Sequence, residues 1–238
     1  MDTPIFINMK YYFAPVIGIS CLFLLFLLSS CRSLPPEIPD SAQPPAEKTA
    51  VTEKGDTEQA VTEIPRPPEK IMGKGMTAED KLALFLLSKN AKVDSVFARF
   101  LAGIYIEEAA IEGVNHDVAF AQMCLETGSL NYGGLVTPDM NNFCGLGSTG
   151  AKNPDGKPEK GNIFPDPRTG VRAHIQHLKA YASDEPLNQE LVDPRYGYVK
   201  ERGIAATTIH GLTGKWAMDL YYGKKIAAIL KQLYETSF

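Results

Sequence analysis

Residues Ala121 to Leu130 read AQMCLETGSL. The stretch is apolar helix that ends on Glu126 and is broken at once by Thr127, Gly128 and Ser129. Asp and Glu are almost never fully buried unless paired. A carboxylate at a helix C-terminus also faces the end of the dipole that favours cations. Both effects penalise the charged form, so a glutamate placed this way carries a raised pKa. A carboxyl that stays protonated near neutrality is what a general acid in glycoside cleavage requires, with lysozyme as the reference case for that pattern. A surface glutamate at a frayed helix end is the competing reading of position alone.

Outward from this stretch the chain is helical. Thr77 with Asp80 before KLALFLL predicts an N-cap and a first helix. Val96, Phe97, Phe100, Leu101, Ile104, Tyr105 and Ala109 recur at three and four, predicting a second helix over 94–112 closed by Gly113. Asn115 caps a third, DVAFAQMCLE. Residues 131–168 are rich in Gly, Asn and Pro and lack a helical period, which predicts loop with a short hairpin. Thr169 is the expected cap of TGVRAHIQHLKAYAS, with Val171, Ile175, Leu178 and Tyr181 on one stripe. A last helix is expected over 217–236, carrying Tyr222, Ile226, Ile229, Leu230 and Leu233. The expected class is mainly α, with a polar excursion in its middle.

The N-terminal third reads differently. Residues 11–30, YYFAPVIGISCLFLLFLLSS, are almost wholly apolar and follow Lys10. A transmembrane anchor and a secretory signal compete for such a run. Leu28-Ser29-Ser30-Cys31 resembles a bacterial lipobox, which favours a signal over 1–31 with Cys31 as the lipidated residue. Acyl chains on Cys31 would anchor the exported protein to a membrane. The expected location is the cell envelope, at the outer membrane or cell surface. Residues 32–75 hold eight of the chain's 17 prolines and repeat AVTE at 50–53 and 60–63. They contain too little apolar surface to offset their ordering entropy and read as a disordered tether. The folded domain is then expected over 76–238. With Cys31 lipidated, Cys124 and Cys144 remain in that domain, where a disulfide is allowed and not implied. A net charge of −4 argues against a nucleic-acid partner.

Three blocks in order carry a resemblance to a known family. The first is YIEEAAIEGVNHDVAFAQMCLETGSL, in which Ala121, Gln122, Leu125, Glu126, Thr127 and Gly128 match the pattern A-Q-x-x-L-E-[ST]-G. The second is NNFCGLG at 141–147. The third is WAMDLYYGKKI at 216–226, with Ala217, Asp219, Tyr222, Lys225 and Ile226 in place. Together they resemble the bacterial glucosaminidase domain, glycoside hydrolase family 73. The resemblance implies a lysozyme-like helical domain with a reduced β-lobe or loop excursion, acting on the glycan strands of peptidoglycan. It implies that Glu126 is the catalytic acid and that Asn141, Asn142, Asp219 and Tyr222 lie on or near the saccharide groove. Asn amides both donate to and accept from sugar groups, and the rings of Trp216 and Tyr132 suit the apolar face of a sugar.

The sequence departs from the family where Cys144 replaces a phenylalanine and Trp216 a tyrosine. The segment that carries the family's second carboxylate is also short. Glu159 in DGKPEKGN is the candidate, beside Asp155 and Asp166, and the substrate's own N-acetyl group is the alternative. His174 and His177 form H-x-x-H without a third ligand, so partly exposed histidines are expected and no metal or cofactor. No peptidase signature surrounds either cysteine. The expected activity is endo-β-N-acetylglucosaminidase. A lytic transglycosylase or muramidase on the same fold, and a non-catalytic cell-wall-binding lipoprotein, are the alternatives.

Overall fold

The computed structural model describes residues 63–148, 151–152 and 154–238. The apolar run, Cys31 and the tether as far as residue 62 lie outside the described residues. Among the described residues no helix is long and apolar enough to cross a membrane. Six α-helices form among the described residues: α1 Glu79–Lys89, α2 Ser95–Glu112, α3 His116–Thr127, α4 Pro167–Ala182, α5 Tyr196–Lys200 and α6 Tyr222–Ser237. No β-strand forms among the described residues, where only isolated bridges occur. The expected mainly α class is the one observed.

Helix α3 sits at the centre, packed against α2, α4 and α6. Every residue from His116 to Cys124 is buried, as befits a helix enclosed by its neighbours. Its entry is set by two signals that the sequence shows. Gly113 closes α2 with φ of 72°, a left-handed conformation that costs glycine little. The Asn115 side chain then accepts from the backbone N–H groups of Asp117 and Val118 at 3.0 and 3.3 Å. Gly128, with φ of 59°, ends α3 directly after Glu126 and Thr127.

The folded unit reaches back before the Met76 expected. Ile71 is 0 % exposed. Its N–H donates to the Thr207 carbonyl at 3.0 Å, and its own carbonyl accepts from Asn115 at 2.8 Å. Beyond it, the N–H groups of Met76 and Thr77 donate to the buried Asp117 carboxylate at 2.8 and 3.2 Å, and Tyr234 of α6 donates to it at 2.8 Å. Thr77 is thereby drawn to α3, so the expected cap is not made. Ala78 is the N-cap of α1, with no side-chain bond.

Two other helix starts differ from expectation. Asp166, not Thr169, caps α4. Its carboxylate accepts from the Thr169 N–H at 2.9 Å and hydroxyl at 2.8 Å, and Pro167 fills the first turn, where its missing N–H is harmless. Helix α6 starts at Tyr222 because Asp219 turns the chain first, accepting from the Tyr221 N–H at 2.8 Å.

Helices α2 and α4 are joined by buried ions. Glu112 pairs with Lys179 at 2.9 Å and also accepts from the backbone of Asn188 and Gln189. Glu108 pairs with Arg172 at 2.9 Å and Arg168 at 2.9 Å. Such pairs survive burial only when the remaining lone pairs are also used, as they are here.

The Ile71→Ala variant is expected to lose about 2–5 kcal/mol of folding stability, the range for emptying a core aliphatic site. Denaturant unfolding of the full-length variant measures it; a loss within 0.5 kcal/mol would return this segment to the tether.

Candidate active site

Glu126 is the last but one residue of α3 and is half-buried. Two clefts of about 240 and 480 Å³ meet at its carboxyl. The smaller is walled by Tyr132, Val136 and Asn142, the larger by Trp216, Tyr181 and His177. Gly145, with φ of 72°, borders both, and a methyl group built there would stand 3.6 Å from Glu126 Oε2. Glycine therefore leaves that oxygen open to the clefts. A larger space of about 670 Å³ lies between α1 and α2, away from Glu126. Both of its arginines are paired within the lining, Arg99 with Glu79 at 2.7 Å and Arg168 with Glu107 at 2.7 Å.

Burial pushes the Glu126 pKa up, while hydrogen bonds from Tyr222 and Trp216 pull it down; burial wins. Tyr222 Oη donates to Glu126 Oε1 and receives a hydrogen bond from the Gln122 amide at 2.7 Å. The ring of Tyr222 belongs to the core and its hydroxyl to the site.

The other expected residues divide. Trp216 borders the larger cleft, with its ring 4.8 Å from that of His177 and 5.5 Å from that of Tyr181. Tyr132 borders the smaller one, its hydroxyl pushed up to about 12 by burial. Asn142 touches the smaller cleft but is 0 % exposed, and its amide is spent on the backbone. It donates to the carbonyls of Leu146 and Asn162, both at 2.9 Å, and accepts from the Leu146 N–H at 3.1 Å. It builds the NNFCGLG loop that carries Gly145. Asn141 likewise donates to the Phe164 carbonyl at 3.0 Å and borders neither cleft. Asp219 caps the turn before α6 and pairs with Lys225; it too borders neither cleft.

Glu159 lies exposed on the loop and borders neither cleft at Glu126. Asp155 is exposed, and Asp166 is spent on capping α4. Of the carboxylates, only Glu126 borders these clefts among the described residues. Asp193 stands behind the wall, bonded to His177 at 2.7 Å and to the Arg195 N–H at 2.8 Å.

The histidines expected to be partly exposed are buried, His174 at 0 % and His177 at 5 %. No group of three metal-binding side chains forms among the described residues. His174 falls on the stripe of Val171, Ile175 and Leu178, and that helical register was the available signal for its burial. Burial, with His177 beside it, holds its pKa down to about 3. Cys124 and Cys144 are free and buried. Burial raises both thiols, Cys124 to about 12, which makes them inert.

The family described as "Mannosyl-glycoprotein endo-beta-N-acetylglucosaminidase" matches residues 102–235, which include Glu126 and both of its clefts. The chain belongs to the glucosaminidase family. An uncharacterized protein of Borreliella burgdorferi is 40% identical over 191 residues, covering 78% of this chain and 90% of that relative. Staphylococcus aureus autolysin E, solved with the muropeptide NAM-L-Ala-D-iGlu, is similar at 14% identity and a TM-score of 0.37, over 71% of this chain and 72% of that one. In this glucosaminidase domain, α3 runs through the matched region and delivers Glu126 to the clefts.

His174 gives a stability prediction. Its folded pKa is depressed to about 3 from an ordinary 6.5, so between those values the unfolded chain binds the extra proton. Stability from this residue is present above about 6.5 and is lost as pH falls towards 3. At about pH 4.5 the loss should be on the order of 2 kcal/mol relative to neutrality. Urea unfolding at both pH values, compared with His174→Gln, isolates it; the variant should show a shallower slope.

Proposed function

We propose that the protein is a peptidoglycan hydrolase that cleaves β-1,4 glycosidic bonds as an endo-β-N-acetylglucosaminidase, with Glu126 as general acid. The observation that carries this reading is the placement of the Glu126 carboxyl: its pKa is raised by burial, Oε1 is tied to Tyr222, and Oε2 faces Gly145 where two clefts meet. A protonated Glu126 gives its proton to the leaving glycosidic oxygen as the bond to the anomeric carbon breaks. The substrate's acetamido oxygen closes on that carbon in place of a second carboxylate, one of the known exceptions to two-carboxylate chemistry. Water then opens the cyclic intermediate, with Glu126 taking the proton back. Among the described residues no second carboxylate lines the clefts, which supports the acetamide route. Trp216, Tyr181 and Tyr132 give aromatic faces for sugar rings. Expected export and lipidation at Cys31 would place the domain beside its polymer, held to a membrane by acyl chains.

Glu126→Gln should lower turnover by ~10²–10⁴-fold, the range of general acid–base catalysis, while preserving the fold. It should also stabilise the protein modestly, since a carboxylate whose folded pKa is raised weighs against folding above that pKa. Mass analysis of digested peptidoglycan reads both the loss and the ends produced. N-acetylglucosamine reducing ends support the assignment, and anhydro-muramic ends would replace it with transglycosylation. Glu159→Gln should retain near-normal rates; a loss equal to that of Glu126→Gln would make Glu159 the second carboxylate.

Cys31→Ser should leave the precursor unprocessed or the protein free of membranes. Fractionation and gel mobility identical to wild type would remove the lipid anchor from the proposal.

A further inference from the structure

The Tyr222–Glu126 bond is the end of a longer buried chain. Tyr105 Oη of α2 lies 2.9 Å from His174 Nδ1 of α4. His174 Nε2 lies 2.9 Å from Gln122 Oε1 of α3. Gln122 Nε2 donates to Tyr222 Oη of α6 at 2.7 Å, and Tyr222 donates to Glu126 Oε1. Tyr105, His174 and Gln122 are each 0 % exposed, and Tyr222 is 3 % exposed. Bulk water does not reach these groups.

The direction of every bond follows from donor and acceptor chemistry. An ionised carboxylate only accepts, so Tyr222 spends its one hydrogen on Glu126. Its oxygen then accepts from the Gln122 NH₂. The amide oxygen of Gln122 only accepts, so His174 carries its proton on Nε2. A neutral imidazole has one N–H, so Nδ1 is bare and accepts from the Tyr105 hydroxyl. All four donors lie on the side away from Glu126. Running the chain backwards would require a half-turn of the Gln122 amide and the other tautomer of His174, both inside a packed core.

We propose that Gln122, His174 and Tyr105 are positioning residues, a one-way hydrogen-bond chain that locks Tyr222 as donor to Glu126 Oε1 and so fixes Oε2 as the oxygen carrying the transferable proton. The inference deepens the reading of Glu126 as general acid and rests on it for its catalytic meaning. A proton on Oε1 would meet the Tyr222 hydrogen, which cannot turn away because Gln122 presents another donor there. Oε2 is the oxygen that Gly145 leaves uncovered. As the proton departs, charge develops on a carboxyl whose other oxygen already holds a prepaid donor, and preorganised donors of this kind stabilise developing charge without reorganisation. Aligned bonds in a low-dielectric interior polarise one another, so a change at Tyr105 is felt at Glu126.

Facing Glu126 are Tyr222 from α6, Trp216 from the loop before it and Cys144 from the NNFCGLG loop, and across its clefts Tyr132, His177, Tyr181, Arg195, Arg202 and Lys215. Facing His174 are Tyr105 from α2, Gln122 from α3, Trp216 with ring centroids 5.8 Å away, and His177 on its own helix. Burial keeps His174 neutral to about 3, so the chain holds its direction throughout the range in which Glu126 titrates.

The test uses the full-length protein and four variants. Tyr105→Phe removes one oxygen at the far end, three side chains from Glu126. Gln122→Met and His174→Met break the middle. His174→Gln can still donate to Gln122 and accept from Tyr105. The titration midpoint of the Glu126 carboxyl, read by carbon-13 NMR, should move upward in the first three, because Tyr222 becomes a weaker donor to the carboxylate. In peptidoglycan cleavage, kcat should fall roughly 2- to 10-fold, the worth of one neutral hydrogen bond, with KM little changed and the alkaline limb of the rate profile displaced upward. His174→Gln should recover most of both effects. If these variants lower the melting temperature and leave the Glu126 midpoint and the alkaline limb in place, the network is structural and the proposal is overturned. The midpoint is measured without turnover. Wild-type cleavage by Glu126→Gln would therefore overturn the general-acid reading while a displaced midpoint still upheld the chain.

Discussion

A helix enclosed on all sides has no water to fall back on, and that constraint organises this protein. Helix α3 carries Asp117, Gln122 and Glu126 into a core made by α2, α4 and α6. A buried polar group without a partner costs about 1–3 kcal/mol, more if charged. Each of the three therefore dictates something outside α3. Asp117 recruits Met76, Thr77 and Tyr234. Gln122 requires a donor on one side and an acceptor on the other, and His174 and Tyr222 fill those places. Glu126, at the emerging end, accepts from Tyr222 on Oε1 and borders the clefts. Its exposure to the clefts is the residue of a satisfaction problem solved everywhere else along the helix.

The carboxyl is held between opposed influences. Desolvation favours the neutral form, and the donors Tyr222 and Trp216 favour the anion. The balance suits a group that must give up a proton and recover it within one cycle.

Much of this was legible in the sequence, for physical reasons that differ by residue. Gly113, Asn115 and Gly128 mark helix ends because their backbone and side-chain chemistry act locally, and all three do so here. The position of Glu126 at the end of an apolar helix was equally local. Asn141, Asn142 and Asp219 were not legible as to role. An amide or carboxylate that could meet a sugar can equally meet the backbone, and these three are engaged by the protein itself. His174 shows a different limit. Its H-x-x-H spacing drew attention to metals, while its helical register with Val171 and Leu178 held the truer signal. The partners that give it meaning, Tyr105 and Gln122, lie 69 and 52 residues away. Ile71 was hidden by its neighbourhood, because the composition of the preceding segment masked one core residue.

The attachment of that segment has a mechanical consequence. Tension on the chain at Glu69 is met first by the bonds of Glu69 to Ile209 and of Ile71 to Thr207, and then by those that Ile71, Met76 and Thr77 make to Asn115 and Asp117 at the start of α3. Glu126 lies nine residues further along, about 13 Å at the helical rise. Along α3, the stitched end and the carboxyl thus stand at opposite ends of one helix. A pull on the N-terminal side would strain first the bonds of Glu69 and Ile71, with the Glu126 carboxyl and the loop around Gly145 at the far end of α3.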